Sequence, residues 1–374
     1  MQRELQHQLV RRVLAHLEHR TTDHDDHATS QPVSAYLDPV RHDRERVALF
    51  RRVPLLVGRA SQLASPGDFF THDASGVPLL IVRDDAGTIR AFLNVCRHRG
   101  TRVEAAPCGA KKAFVCPYHA WTYGRDGALL SIAHPSGFAG FERRGLVEVP
   151  CAEIAGFIAV APSPDAPPID RTWLGPLADE LLGFMPASSH VYAPTVMSKA
   201  MSWKLAIDVF LESYHLRPTH KQTIYPLFFD NLGLVDRVGP HLRNVFPKRS
   251  IRELANLPSD TWELRRRANV LYHLFPNTLV LVEPDHAAVL HLWPQGPDRT
   301  LLTSYTLVPE PPNDKARAYW DANNAILYGA IEEDFAMGES IQRGLASGAN
   351  RDVIFGAFEH ALAHFHRQID LHTQ

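Results

Sequence analysis

The run CRHRGTRVEAAPCGAKKAFVCPYHAW, residues 96–121, carries two cysteines and two histidines as alternating pairs, Cys96-x-His98 and Cys116-x-x-His119. One Cys and one His in each half suit a [2Fe-2S] centre in which one iron keeps sulfur ligands and the other takes imidazole. Neutral nitrogen ligands remove negative charge, so such a centre accepts an electron more readily than an all-thiolate one. Structural zinc is the competing reading, but its signature puts both Cys before both His or uses Cys-x-x-Cys knuckles. Turn or aromatic residues follow each half here, Arg99-Gly100 and Ala120-Trp121. The spacing favours the redox cluster.

A chain of 374 residues implies two or three domains with ample core. Apolar content of 45% with 28 prolines and 22 glycines describes a globular protein rich in turns and strands. A net charge of −2 gives no sign of nucleic-acid binding. No apolar run is long enough to cross a bilayer. The start, MQRELQHQLVRRVLAHLEHR, is no secretory signal because charges interrupt it, and Glu4 and Glu18 argue against a transit peptide. Four cysteines, two already assigned, make no disulfide framework, so a reducing, cytoplasmic location is expected.

Leu9, Val10, Val13, Leu14 and Leu17 recur at helical spacing, and a polar loop containing His24 and His27 follows. The expected organisation is an N-terminal helix and loop over 1–45, packing on the C-terminal domain, then a small all-β domain over 46–161 built of short β-type runs between Gly, Asp and Pro turns. PSPDAPP, 162–168, reads as a linker, and 169–374 as an α+β domain. In that second domain LGPLADELLGF and SWKLAIDVFLESYHL read as helices, and NVLYHLFPNTLVLVEP, AAVLHLWPQ and TLLTSYTLVPEP as antiparallel strands. A long helix is expected over 314–344 and a last one from Val353.

Oxygen chemistry at iron needs open coordination positions, which two His and one carboxylate supply. His215 and His220 are five residues apart, a step of about 140° on a continuous helix, so the rings would diverge. Pro218 between them is expected to break the helix and let both face one ion. For the carboxylate, Leu327, Ile331, Gly338, Ile341 and Leu345 mark an apolar stripe with Asp334 in its middle, where a charge is costly unless paired or metal-bound. Asp334 is the expected third ligand and Glu333 the fallback; Glu332 and Glu333 read as solvent-facing. Glu212 shares the helical face of His215, with Asp208 one turn earlier. His273, His286, His291, His360 and His364 read as packing or surface residues. Arg243, Lys248 and Arg249 read either as an anion site or as a solvated face.

Four segments together, NVCRHRG (94–100), CPYHAWTYGRDG (116–127), WKLAIDVFLESYHLRPTH (203–220) and EEDFAMGESIQRGL (332–345), make the chain resemble the Rieske non-haem iron oxygenases, specifically their α, or terminal oxygenase, subunits. The resemblance implies an N-terminal Rieske domain with a cluster on Cys96, His98, Cys116 and His119. It also implies a C-terminal helix-grip domain with Fe(II) on His215, His220 and Asp334. Glu212 then links an iron-ligating His to a cluster-ligating His of a neighbouring subunit in a homotrimer, and Asp208 assists or only caps a local network. Thr101 and Tyr118 stand where respiratory Rieske proteins carry a disulfide, so the match is to the oxygenase type, and Cys108 and Cys151 are expected to be packed thiols. Val209 replaces the Asn of many members.

No GxGxxG opens a βαβ unit, so nicotinamide and flavin chemistry must sit on another polypeptide. The expected activity is mono- or dihydroxylation or oxidative demethylation of a small organic, aromatic substrate with O2. Electrons would come from NAD(P)H through a separate reductase, with or without a ferredoxin. Two other readings stay open: a Rieske-type electron carrier, and a helix-grip ligand-binding protein with a structural metal.

Overall fold

A computed structural model describes residues 1–311 and 313–374 as two compact units, Val47–Trp173 and the combination of Met1–Arg46 with Leu174–Gln374. The expectation of β structure followed by α+β structure holds.

The first unit is antiparallel throughout. A five-stranded sheet runs in the order Glu148–Val149, Ile89–Leu93, Leu79–Arg83, Asp68–His72, Cys108–Ala110. The run LLIV at its centre is apolar without alternation because both faces are buried. Leu80 and Val82 enter one core and Leu79 and Ile81 the other, as a period of two requires. The core on the Leu80 side also holds Cys96, Cys116, Trp121 and Tyr123. Phe114–Val115, Thr122–Tyr123 and Leu129–Ser131 form the small sheet from which the second Cys/His loop projects.

The other unit is built on a seven-stranded antiparallel sheet, ordered His190–Lys199, Arg299–Val308, Ala287–Gly296, Thr278–Val282, Ala268–Leu274, His241–Pro247, Leu234–Val238. Three expected runs supply its middle; His190–Lys199 and the hairpin 234–247 are additional. The 33-residue helix Asp314–Ala346 starts on Asn313, whose side chain accepts from the Ala316 amide, and it packs near the short helix Trp203–Asp208. Gly338 permits that approach: a Cβ there would lie 2.4 Å from the Met201 sulfur. The same helix fixes the start of the short one, since Gln342 accepts from the Ser202 amide and Glu339 from the Ala200 amide.

Several local expectations need correction. SWKLAIDVFLESYHL is not one helix: it stops at Asp208, and a separate helical turn spans Leu216–Thr219. Pro218 does not cause the break. It lies in the first turn of that short helix, where no intrahelical amide bond is required of it. Ile341 is exposed, and the buried stripe of the long helix runs through Trp320, Asn324, Ile331, Asp334, Phe335, Gly338, Gln342 and Leu345. The last helix begins at His360; Asp352–Phe355 is instead a strand paired with Thr29–Pro32. Cys108 is exposed rather than packed, whereas Cys151 is half-buried, its thiol pushed up to about 12 by burial and Glu148. No helix among the described residues is long and apolar enough to cross a membrane.

Candidate metal centres and substrate cavity

The two Cys/His loops have the same backbone design. Cys96 N donates to Thr101 O and Gly100 N to Cys96 O; Cys116 N donates to Trp121 O and Ala120 N to Cys116 O. The fourth residue after each Cys must turn left-handed, and Gly100 (φ 80°) and Ala120 (φ 56°) do so. Both sulfurs are buried. Tyr123 Oη accepts from the Arg97 amide at 2.9 Å and lies 3.3 Å from Cys96 Sγ. Burial pushes the Cys116 thiol up, while the Tyr118 and His119 amides aimed at it act the other way. His98 stacks on Trp121 at 4.9 Å and stands 4.5 Å from His119, centroid to centroid. Nδ1 of both histidines is buried with no hydrogen-bond partner. Two buried sulfurs and two buried, unsatisfied imidazole nitrogens turned to one place fit a mixed-ligand cluster.

In the other unit, the chain unwinds after Asp208 because Glu212 satisfies amides that would otherwise continue the helix: its Oε2 accepts from Tyr214 N, and from His215 N at 3.1 Å. His215 and His220 then flank the turn Leu216–Thr219, with ring centroids 5.2 Å apart. Each ring is held from behind. His215 Nδ1 donates to Glu212, and His220 Nδ1 to Glu333 Oε2 at 2.7 Å, an oxygen that also accepts from Thr223. With the Nδ1 edges occupied, both Nε2 atoms face Asp334 Oδ1, at 3.3 Å from His215 and 2.8 Å from His220.

That oxygen is buried without an aligned hydrogen bond, and one ligand atom from each of the three residues lies within 4.8 Å of the others. Two nitrogens and a carboxylate oxygen so disposed fit a cation that takes imidazole and carboxylate. Burial opposes charge on His215, but Asp334 and Glu212 outweigh it and lift the ring to about 10. His220 is likewise raised against burial by Asp334 and Glu333, and Asp334 is held down, against burial, by both rings.

Asp334 thus stands where its stripe position predicts. Glu333 is not solvent-facing: it is the partner of His220, a role no spacing rule signals because Thr223 and the turn at 216–219 bring the two together. Glu332 pairs with Lys199. Asp208 faces other partners, accepting from Tyr36 Oη at 2.7 Å and lying 3.1 Å from His366 Nε2. His273, His286, His291, His360 and His364 are all buried. Arg243 is spent on Glu180 and Asp236, and Arg249 lies over the Tyr225 and Phe229 rings.

A cavity of about 600 Å³ of atom-free space, mouth included, opens beside the triad. Phe210, Ile224, Phe228, Leu271, Leu281 and Ile331 are among its walls.

Comparison with known proteins follows the same division. The family described as ring hydroxylating alpha subunit (catalytic domain) matches residues 187–374, and the Rieske [2Fe-2S] domain matches residues 53–142. A glycine betaine monooxygenase oxygenase subunit of Chromohalobacter salexigens is 30% identical over 87% of this chain and 80% of its own length. A carnitine monooxygenase oxygenase subunit of Escherichia coli is 27% identical over 90% of this chain and 91% of its own. The solved structure of a quaternary ammonium Rieske monooxygenase in complex with L-carnitine shares the fold, with a TM-score of 0.80 and 23% identity over 93% of this chain and 97% of that one.

These relatives are named for quaternary ammonium compounds, so the expectation of aromatic ring hydroxylation finds no support in them. Oxygenase domains over both halves also set aside the electron-carrier and ligand-binding readings. The chain therefore belongs to the Rieske non-haem iron oxygenases, as a terminal oxygenase α subunit that carries a [2Fe-2S] cluster and mononuclear iron, acts on a small molecule with O2, and draws electrons from a separate reductase.

Proposed function

We propose that Cys96, His98, Cys116 and His119 hold the cluster, that His215, His220 and Asp334 hold the iron, and that the reaction is a monooxygenation, either hydroxylation or oxidative demethylation, of a small organic substrate. The observation that carries the iron assignment is the convergence of two Nε2 atoms on a buried Asp334 oxygen that lacks an aligned hydrogen bond. When bound there, iron offers open coordination positions for O2.

The protein groups have separable duties. Glu212 and Glu333 keep the Nδ1 protons and so present both Nε2 lone pairs forward. The apolar walls exclude water from the substrate. Glu212 also serves as the link to a cluster histidine of a neighbouring subunit, in a homotrimer supplied by an NAD(P)H-dependent reductase, with or without a ferredoxin. The relatives' names favour monooxygenation over dihydroxylation. Cys108 and Cys151, outside the cluster and in no disulfide, suit the proposed cytoplasmic location.

Metal and sulfide analysis of anaerobically purified protein tests this: two irons and two sulfides of the cluster plus one further iron per chain are expected. Zinc at the four Cys/His side chains, or loss of no iron on Asp334→Ala substitution, would overturn it.

A further inference from the structure

Asp208 ends helix Trp203–Asp208, and the chain beyond it leads directly into the iron site: Val209 and Phe210 line the cavity, and Glu212 holds His215 Nδ1. Residues 209–211 have apolar side chains, so Asp208 is the last polar anchor before Glu212. Its backbone belongs to the same turn, since Asp208 O accepts from Leu211 N at 3.1 Å. Where Asp208 sits therefore sets where the ligand-bearing segment begins.

That place is unfavourable for a carboxylate. Asp208 is 7% exposed, and both burial and the C-terminal end of a helix oppose negative charge. Lys204, one turn earlier, is engaged by Glu45. The compensating donors come from two segments distant in sequence. Tyr36, itself buried, donates from Oη to Asp208 Oδ2 at 2.7 Å. His366 Nε2, on the last helix, stands 3.1 Å from Asp208 Oδ1 and 3.0 Å from Tyr36 Oη. The single phenolic hydrogen goes to Asp208, so Nε2 carries its own hydrogen and donates. His366 Nδ1 is buried with no hydrogen-bond partner, so the polar contacts of that ring are all made by Nε2, with Asp208 and Tyr36.

We propose that Asp208 is a positioning residue for the oxygenase reaction: gripped by Tyr36 and His366, it fixes the point at which the chain leaves the helix, and with it the reach of Glu212 to His215 and of Phe210 to the cavity. Tyr36 and His366 act through Asp208, which brings the N-terminal segment and the last helix into the support of the iron site. The inference rests on the assignment of that site to His215, His220 and Asp334.

Anaerobic chelator competition for Fe(II), run well below the melting temperature with cluster absorbance as the reference for intact protein, tests it. Tyr36→Phe should weaken Fe(II) binding by about threefold and Asp208→Asn by about tenfold. Tyr272→Phe is the matched control. Tyr272 is likewise buried and donates to a buried carboxylate, Glu180 Oε2 at 2.8 Å, but its neighbour Leu271 is the one that lines the cavity, and successive strand residues face opposite ways. Tyr272→Phe should lower the melting temperature about as much as Tyr36→Phe and leave Fe(II) affinity unchanged.

Unchanged affinity in Tyr36→Phe overturns the inference, as does a loss of the same size in Tyr272→Phe, which would mark a merely structural effect. The two tyrosine variants decide the matter even if Asp208→Asn fails to fold. Iron content of the unaltered protein separates the two levels: three irons with no response in Tyr36→Phe removes the role of Asp208 alone, whereas two irons removes the iron-site assignment and this inference with it.

Discussion

Replacing Glu212 and Glu333 by Gln, one at a time, separates the two supports of the iron site. Gln keeps the size and an acceptor oxygen but removes the charge that polarises the ring N–H. Losing such a partner typically costs about 10–100-fold in metal affinity, or roughly 1.4–2.7 kcal/mol. The structure ranks the two. The Glu212 side chain is 11% exposed and accepts from His215 Nδ1 and two backbone amides. Glu333 is 35% exposed and shares its oxygen between His220 and Thr223. Water screens the second more, so Glu333→Gln should weaken Fe(II) binding by about tenfold and Glu212→Gln by nearer a hundredfold. Anaerobic competition against a chelator measures both, with cluster absorbance as the reference for intact protein. Equal losses would refute the ranking by burial, and unchanged affinity in both would refute the supports themselves.

Asp334→Ala should abolish mononuclear iron binding and leave the visible spectrum of the cluster intact; full turnover in that variant would remove Asp334 as a ligand. Tyr123→Phe deletes a hydroxyl 3.3 Å from Cys96 Sγ, and the loss of one hydrogen bond to a cluster sulfur should lower the reduction potential by roughly 20–60 mV, read by redox titration. His273 is fully buried, and burial lowers its pKa to about 3 against the opposing bond to Pro276 O. The unfolded chain binds that proton from about pH 6.5 downward and the folded one does not, so stability is intact above about 6.5 and falls towards pH 3 by about 1.4 kcal/mol per pH unit. Denaturant midpoints at neutral and acid pH should show this slope reduced by that amount in His273→Gln, and an unaltered slope would exclude His273 as its source. Gly338→Ala should cost about 1–3 kcal/mol by driving a methyl into Met201, and thermal melts that match the parent would show that the helix can shift aside.

What could be read in the residues was chemistry that repeats locally. The Cys/His pairs are legible because each loop is a self-contained turn, closed by its own hydrogen bonds and by Gly100 or Ala120. Asp334 is legible because a helix keeps its period over 33 residues, so a carboxylate on the buried stripe stands out. The helix over 203–215 misleads because its propensity is overridden by one side chain, Glu212, capping amides inside the turn. Glu333 was hidden for a related reason: its partner His220 lies over a hundred positions away, and a half-buried acid next to a buried one has no signature of its own. The same holds for Arg243, a basic residue in a basic stretch that only the fold pairs with Glu180 and Asp236.

The cavity's walls come from different kinds of chain, one of them the long helix that carries Asp334. Val209 to Ile224 contributes wall residues from the very segment that carries His215 and His220, whereas Phe246, Asn269, Leu271 and Leu281 come from sheet strands that supply no candidate ligand. An engineer seeking new selectivity should therefore randomise the strand positions first, since mutating the ligand-bearing segment would confound altered preference with lost metal.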